Sequence, residues 1–358
     1  LSGQTFSFAT DAPQICVLRL SAIGDVCHAV SMVQQMQRRW PKASITWVIG
    51  KTELSLLHGL AGVDFVVFDK SAGVKAYLNL RNRLKYKKFD VLLHMQVALR
   101  SSLASLCISA QKKIGFDRSR AKECQWLFSH LPIEAQTHPH VLDGFQAFAA
   151  AIGVEKAPPR WQMPLENSVQ EWADDLLCDV MPFVVIVPAA SNKQRNWLAD
   201  RYAQVADMLI GKGFQVVLCG GPVDVERDLA QQIQQHTQSK LLDMVGKTSL
   251  KQLLAILRNA SFVISPDTGP AHMAVTVGTP VIGLYAHSNP RRTGPYLYQD
   301  YVVSAYDEVI KEQFGRPWIS LPWGLRAKGE GLMAKIGVEH VREKVEALIR
   351  DCRMDNRE

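Results

Sequence analysis

Nowhere in the 358 residues does an apolar run approach the ~20 needed to cross a bilayer, so no membrane-spanning helix is expected. The seven cysteines (16, 27, 107, 124, 178, 219 and 352) are odd in number, scattered, and free of any C-x-x-C pair. That argues against a disulfide framework and a thiolate zinc site, and it predicts a reducing, cytoplasmic home. No G-x-x-x-x-G-K-[ST] run occurs, which argues against a P-loop nucleotidase. No G-x-G-x-x-G follows the first apolar run, and no H-E-x-x-H or D-x-D is present. Dinucleotide oxidoreduction, zincin chemistry and a carboxylate-held divalent metal are therefore poorly supported. The first residues, LSGQTFSFATDAPQ, lack both a basic start and a long apolar centre. They predict a loose tail rather than a secretory leader.

What is present begins with uneven charge. The chain carries +7 overall, yet residues 70–122 hold thirteen Lys and Arg against only Asp90 and Asp117. That segment is +11, so the remainder sums to −4. Such an excess suggests an anionic partner for the first half, although RNRLKYKK (81–88) alone equally suits a solvated helix face. Aromatics interleaved with cations, the mark of a nucleic-acid surface, are thin there. No nucleic-acid partner is expected.

Short apolar runs alternate with amphipathic segments from end to end. Strands are expected near 15–20, 44–50, 65–69, 91–95 and 112–116, with helices at 25–40, 52–60, 74–88, 99–109 and 140–152. The continuous apolar character of the strands favours a buried parallel sheet. Residues 153–165, GVEKAPPRWQMPL, are rich in proline and aperiodic, and read as a linker. The alternation then restarts, with strands near 183–189, 215–221, 241–246, 262–267 and 280–285. Helices are expected between them at 198–212, 224–236, 249–259 and 270–277. Two βα arrays imply an α/β protein of two doubly wound domains, 1–160 and 161–330, facing a central cleft. A C-terminal helix within 331–358 is expected to lie on a domain surface and to pack back on the first domain.

Four strand-to-helix corners carry the chemistry. In LRLSAIGDVCHAV (18–30), Gly24 allows close backbone approach. Asp25 suits either a helix start or a carboxylate that accepts a proton, and His28 stands one helical turn further. In PAASNKQRNW (188–197), Ser191 can cap a helix, while Lys193 and Arg195 stand at its entrance and suit a shared anion. In LCGGPVDVERD (218–228), Asp224 or Glu226 can reach a ribose or simply begin a helix. In SPDTGPAH (265–272), Gly269 and Pro270 make the corner, and Asp267, Thr268 and His272 suit a ligand seat at a helix N-terminus.

LRLSAIGDVCHAV together with SPDTGPAHMAVTVGTPVIGLY resembles the family 9 glycosyltransferases, the ADP-heptose:lipopolysaccharide heptosyltransferases, over about residues 14–350. The resemblance implies a GT-B fold of two Rossmann-like domains, with the acceptor on the first and the nucleotide sugar on the second. It implies inverting transfer without a metal or other cofactor, with ADP-heptose as co-substrate. It makes Asp25 the general base. Gly24, Ser191, Lys193, Arg195, Asp224, Asp267, Thr268, Gly269 and His272 become donor contacts. The acceptor implied is Kdo on lipid A at the cytoplasmic face of the inner membrane, with closest likeness to enzymes acting on a single, phosphorylated Kdo. His28, Gln96, Arg100, Lys112, Lys113, Arg118 and Arg120 become candidate acceptor contacts. A heptosyltransferase adding a later heptose, or another nucleotide-sugar transferase or epimerase of the same fold, is the alternative.

Overall fold

The computed structural model describes residues 6–180 and 182–355. The chain divides into two compact units, residues 1–164 and 165–358. In the first, strands β1 (Gln14–Leu18), β2 (Ser44–Ile49), β3 (Val63–Val67), β4 (Phe89–His94), β5 (Ala110–Gly115) and β6 (Leu131–Pro132) form one parallel sheet ordered β3-β2-β1-β4-β5-β6. Helices α1 (Ile23–Arg39), α2 (Lys51–Leu57), α3 (Val74–Leu84), α4 (Leu99–Ser105) and α5 (Val141–Ala150) join or flank the strands. Most residues of β1, β2 and β4 are buried, because side chains on both faces of a parallel sheet are covered. That is why these strands read as unbroken apolar runs.

Two segments differ from expectation. From Phe6 onward the N-terminal stretch is not a loose tail. The Phe6 N–H bonds to Ala151 O at 2.8 Å, and Phe6, Phe8 and Trp40 stack edge to face at 5.1 and 5.0 Å. Aromatic packing outweighs the polar composition around it. The Pro-rich stretch is docked on α1 rather than spanning open solvent. Trp161 Nε1 donates to Cys27 O at 2.8 Å, Gln34 bonds Gln162 in both directions at 2.8 and 3.0 Å, and Gln35 donates to Ala157 O at 3.1 Å. Gln34 and Gln35 are buried on α1, so their amides need partners, and an aperiodic segment has backbone groups to offer.

The second unit opens with α6 (Asn167–Leu177) and repeats the plan. Its strands β7 (Phe183–Ile186), β8 (Gln215–Leu218), β9 (Leu242–Asp243), β10 (Phe262–Pro266), β11 (Val281–Tyr285) and β12 (Val303–Ser304) are ordered β12-β11-β10-β7-β8-β9. Counted from the start of the unit, this is the same order as in the first. The helices are α7 (Ala199–Gly211), α8 (Asp224–His236), α9 (Leu250–Asn259), α10 (Gly269–Thr276), α11 (Pro290–Thr293), α12 (Tyr306–Phe314) and α13 (Val338–Asp355). In α13, the tail helix expected on the first domain, Val341, Val345 and Leu348 belong to the core of the second unit. Burying three such side chains contributes about 2 kcal/mol each, and the periodicity that revealed the helix carries no information about which surface receives it.

In both units the strand order reverses between the first and fourth strands. The crevice at the C-terminal ends of those two strands is where doubly wound sheets bind ligands. Asp25 follows β1 and Asp267 follows β10, so each stands at its own unit's reversal point.

Candidate active site

Asp25 is the third residue of α1, and its Oδ2 accepts the Ala22 N–H at 3.2 Å, closing the first turn. The same oxygen pairs with Arg19, whose other terminal nitrogen donates to Met95 O at 2.6 Å. The Arg19 guanidinium also lies 5.1 Å from the Phe145 ring centroid. Both contacts of the carboxylate fall on Oδ2. Among the described residues no donor is directed at Oδ1, on a side chain 28 % exposed. The helix-start bond and the Arg19 pair thus share one oxygen and leave the other without a donor among the described residues.

The corner is held from the neighbouring strand. Gln96, just past β4, accepts from Leu20 N–H at 2.6 Å and Ser21 N–H at 3.3 Å, and donates to Ser21 Oγ at 3.3 Å. The amide expected to meet the acceptor thus bonds the loop that carries Asp25. Gln96 and Arg19 both contact the corner that carries Asp25, and Arg19 stands beside it in the same motif.

Gly24, expected as a donor contact, is buried in the first turn of α1. The other acceptor candidates separate by environment. His28 is only 3 % exposed and lies edge to face with His140 at 5.3 Å, so helical spacing from Asp25 gave it a buried position against α5. Lys113 turns under the sheet edge, where its ammonium donates to Ser105 O, the last residue of α4, at 2.6 Å. Burial depresses its pKa. It caps a helix C-terminus, a placement the dipole favours. Arg120 pairs with Asp117 and donates to Gln136 Oε1 at 3.0 Å. Alternation along β5 leaves Lys112 exposed; Arg100 on α4 and Arg118 are exposed as well, the last with its guanidinium 3.8 Å from the Trp126 ring centroid.

In the second unit the SPDTGPAH corner is the hub. Asp267 is 6 % exposed. Its Oδ2 accepts from Ser288 Oγ at 2.6 Å and Thr293 Oγ1 at 3.3 Å, and pairs with Arg195 at 3.4 Å. Arg195 also donates to Asp267 O at 2.9 Å, and His272 Nε2 lies 4.0 Å from Asp267 Oδ1. A carboxylate beside an anion site would repel the anion; here it is matched by a guanidinium and two hydroxyls. Thr268 precedes α10 in extended conformation and makes no side-chain cap bond. Thr268 thus leaves the N–H groups of Gly269 and Ala271 in the first turn of α10 uncapped by its side chain, Pro270 having none.

Asn192, not Ser191, caps the short turn at 193–195, accepting from Gln194 N–H at 3.1 Å. Ser191 and Lys193 are exposed beside it. Trp197 is buried and donates to Ile336 O at 2.9 Å, a core role. Asp224 is exposed in the first turn of α8; the acid that reaches back to the Gly-Gly turn is Glu226, which accepts the Gly221 N–H at 2.5 Å. The loop 286–296 supplies residues that sequence reasoning missed. Besides Ser288 and Thr293 it brings in His287, whose Nε2 lies 3.3 Å from Asn192 Nδ2. Burial, reinforced by Arg195 and Arg326, lowers the His287 pKa. The only cue was Asn-Pro, a helix start, and it says nothing of Asp267. Among the described residues no group of three or more His, Cys, Asp or Glu could hold a metal ion.

The family model for glycosyltransferase family 9 (heptosyltransferase) matches residues 77–322, which include the whole Asp267 hub. The chain belongs to that family. It is a glycosyltransferase with the fold of the solved family members. The lipopolysaccharide core heptosyltransferase OpsX of Haemophilus influenzae is 44% identical over 93% of this chain and 96% of its own. This alignment extends beyond the span of the family model. A family 9 glycosyltransferase from Veillonella parvula superposes with TM-score 0.78 at 20% identity, covering 96% of this chain and all of that one. The Escherichia coli heptosyltransferase WaaC with ADP gives 0.71 at 20% identity over 94% of this chain and 99% of that one.

Proposed function

We propose that this family 9 enzyme transfers L-glycero-D-manno-heptose from ADP-heptose to a phosphorylated Kdo of lipid A, in assembly of the lipopolysaccharide core. The arrangement that carries the reading is the second unit's corner, where Arg195 and the α10 N-terminus converge on a balanced Asp267. It is the chemistry a nucleoside diphosphate requires. The 44% likeness to a lipopolysaccharide core heptosyltransferase and the ADP in the WaaC structure support the choice of sugar and nucleotide.

In this mechanism the acceptor hydroxyl loses its proton to Asp25 Oδ1 as its oxygen bonds to the anomeric carbon. The bond from that carbon to the diphosphate oxygen breaks, and the configuration inverts. Charge gathering on the departing ADP is met by Arg195, Lys193, His272 and the α10 N–H groups, fixed dipoles and cations that need no metal. Asp267 acts through Arg195, and Arg19 and Gln96 act through Asp25. Arg100, Lys112 and Arg118 remain the acceptor-phosphate contacts of the proposal. No helix of the described residues is long and apolar enough to cross a membrane. Work at the inner face of the cytoplasmic membrane is proposed to be peripheral.

Incubation with ADP-heptose and defined Kdo–lipid A variants, followed by mass measurement, tests this. One added heptose on the phosphorylated Kdo acceptor is expected, and none with Asp25→Asn, which should still bind ADP. Transfer only to an acceptor already carrying heptose would replace the Kdo reading with a later core position. Stabilisation by UDP but not ADP would overturn the donor.

A further inference from the structure

Helix α4 is built inside out. Its inward residues Ser101, Ser102, Ala104 and Ser105 are fully buried, while Leu99, Leu103 and Leu106 stand 51, 40 and 63 % exposed. The three leucines recur at i, i+4 and i+7, so they form one stripe. Two of the three serines satisfy their hydroxyls on nearby backbone carbonyls, while Ser102 Oγ is buried without a partner among the described residues. Ser101 Oγ turns back to Ala98 O at 2.7 Å and Ser105 Oγ to Ser102 O at 2.6 Å. Small inward residues let the helix lie close to the sheet, but nothing in the packing of this unit calls for leucine on the outside.

The stripe has apolar neighbours. Glu123 accepts the Leu99 N–H at 2.6 Å, which fastens the start of α4 to the segment that follows, where Trp126 and Leu127 are 44 and 62 % exposed. The Arg118 guanidinium lies 3.8 Å from the Trp126 ring centroid, and Arg100 and Lys122, next in sequence to Leu99 and Glu123, are exposed. Of the acids nearby, Asp117 is paired with Arg120, and Glu123, bonded to the α4 backbone, sets a single negative charge against Arg100, Arg118 and Lys122. Leucine and tryptophan ringed by unpaired-off cationic excess is the composition of a face that lies on an anionic bilayer, apolar side chains among the acyl chains and cations at the headgroups.

We infer that α4 and residues 126–127 dock this protein on an anionic phospholipid surface, a contact that needs neither acceptor nor donor although Arg100 and Arg118 beside it are the acceptor-phosphate contacts proposed above. A second copy of the chain is the weaker occupant. A two-fold contact would set the +11 segment of residues 70–122 against itself. The inference deepens the peripheral-membrane part of the function proposed above, and it can be read without sugar transfer.

The test is co-sedimentation of the full chain with phosphatidylglycerol/phosphatidylethanolamine vesicles that contain no Kdo–lipid A, beside vesicles of phosphatidylcholine alone. Binding to the anionic vesicles that weakens with salt is expected, with at least a tenfold loss in the double variant Leu103→Gln/Leu106→Gln. The variant should match the parent in thermal melting, and in transfer to a deacylated, water-soluble Kdo acceptor. Leu127→Gln, on a separate segment, should lower vesicle binding in the same direction and guards against a folding defect in α4. Equal vesicle binding by parent and variants, or none by the parent, overturns the inference. So does loss of transfer to the deacylated acceptor, which would make the stripe part of the acceptor site. A parent dimer dispersed by the double variant, with no vesicle binding, would assign the face to self-association. Failure of all sugar transfer in the parent would count against the proposed activity while leaving the vesicle result to stand.

Discussion

Replacing Gln96 with alanine discriminates between two roles for one side chain. If Gln96 holds the Asp25 corner, the substitution orphans the Leu20 N–H, on a residue 1 % exposed, and releases the half-buried Ser21 N–H to water. An unsatisfied buried donor costs about 1–3 kcal/mol and an exchanged hydrogen bond about 0.5–1 kcal/mol. The first unit should therefore lose roughly 2 kcal/mol. For a domain of this size that lowers its melting temperature by roughly 4–8 °C. A displacement of Asp25 by about 1 Å would lower kcat by about 10²-fold, with the KM for the donor little changed. Gln96→Glu keeps an acceptor oxygen facing both N–H groups, so stability and most of kcat should return. An acceptor-binding role makes the opposite forecast: a carboxylate facing a phosphorylated sugar would raise acceptor KM, and alanine would leave melting unchanged. Calorimetry and steady-state kinetics on the two variants decide it. Full stability and unchanged kcat in Gln96→Ala would refute the positioning argument.

Arg195→Gln removes a charged donor from the diphosphate seat and should weaken ADP binding by about 10- to 100-fold in calorimetric titration, since hydrogen bonds to charged groups are worth about 1.5–3 kcal/mol. His94 predicts a pH effect on stability. It is fully buried, and burial lowers its pKa from 6.5 to about 4. The unfolded chain thus takes up a proton that the fold resists, so stability is full above pH 6.5 and falls as pH drops from 6.5 towards 4. The linked loss is roughly 3 kcal/mol. Denaturant midpoints of His94→Leu should be flatter over that window, and an unchanged slope would count against the assignment.

The sequence by itself determined the two βα arrays, because burial on both faces makes each parallel strand an apolar run and each helix a 3.6-residue pattern. It also marked both corners, since glycine, proline and a capping acid at a strand end are local requirements of the turn. Asp25 and Asp267 were legible for that reason. Their partners were not. Arg195 meets Asp267 across 72 residues, Gln96 meets Leu20 across 76, and Ser288 and Thr293 come from a loop whose own sequence has no reason to name them. Strand order puts β1 beside β4 and β7 beside β10, and hydrogen bonding between neighbouring crossovers is a property of that order alone. The charges at 70–122 were visible as a count. Only the fold sorted them, turning Lys113 onto a helix end and Arg120 onto Asp117 while leaving Arg100 and Arg118 outside. In sequence the leucines of α4 fit an ordinary amphipathic helix, because periodicity fixes that a stripe exists and not which way it faces.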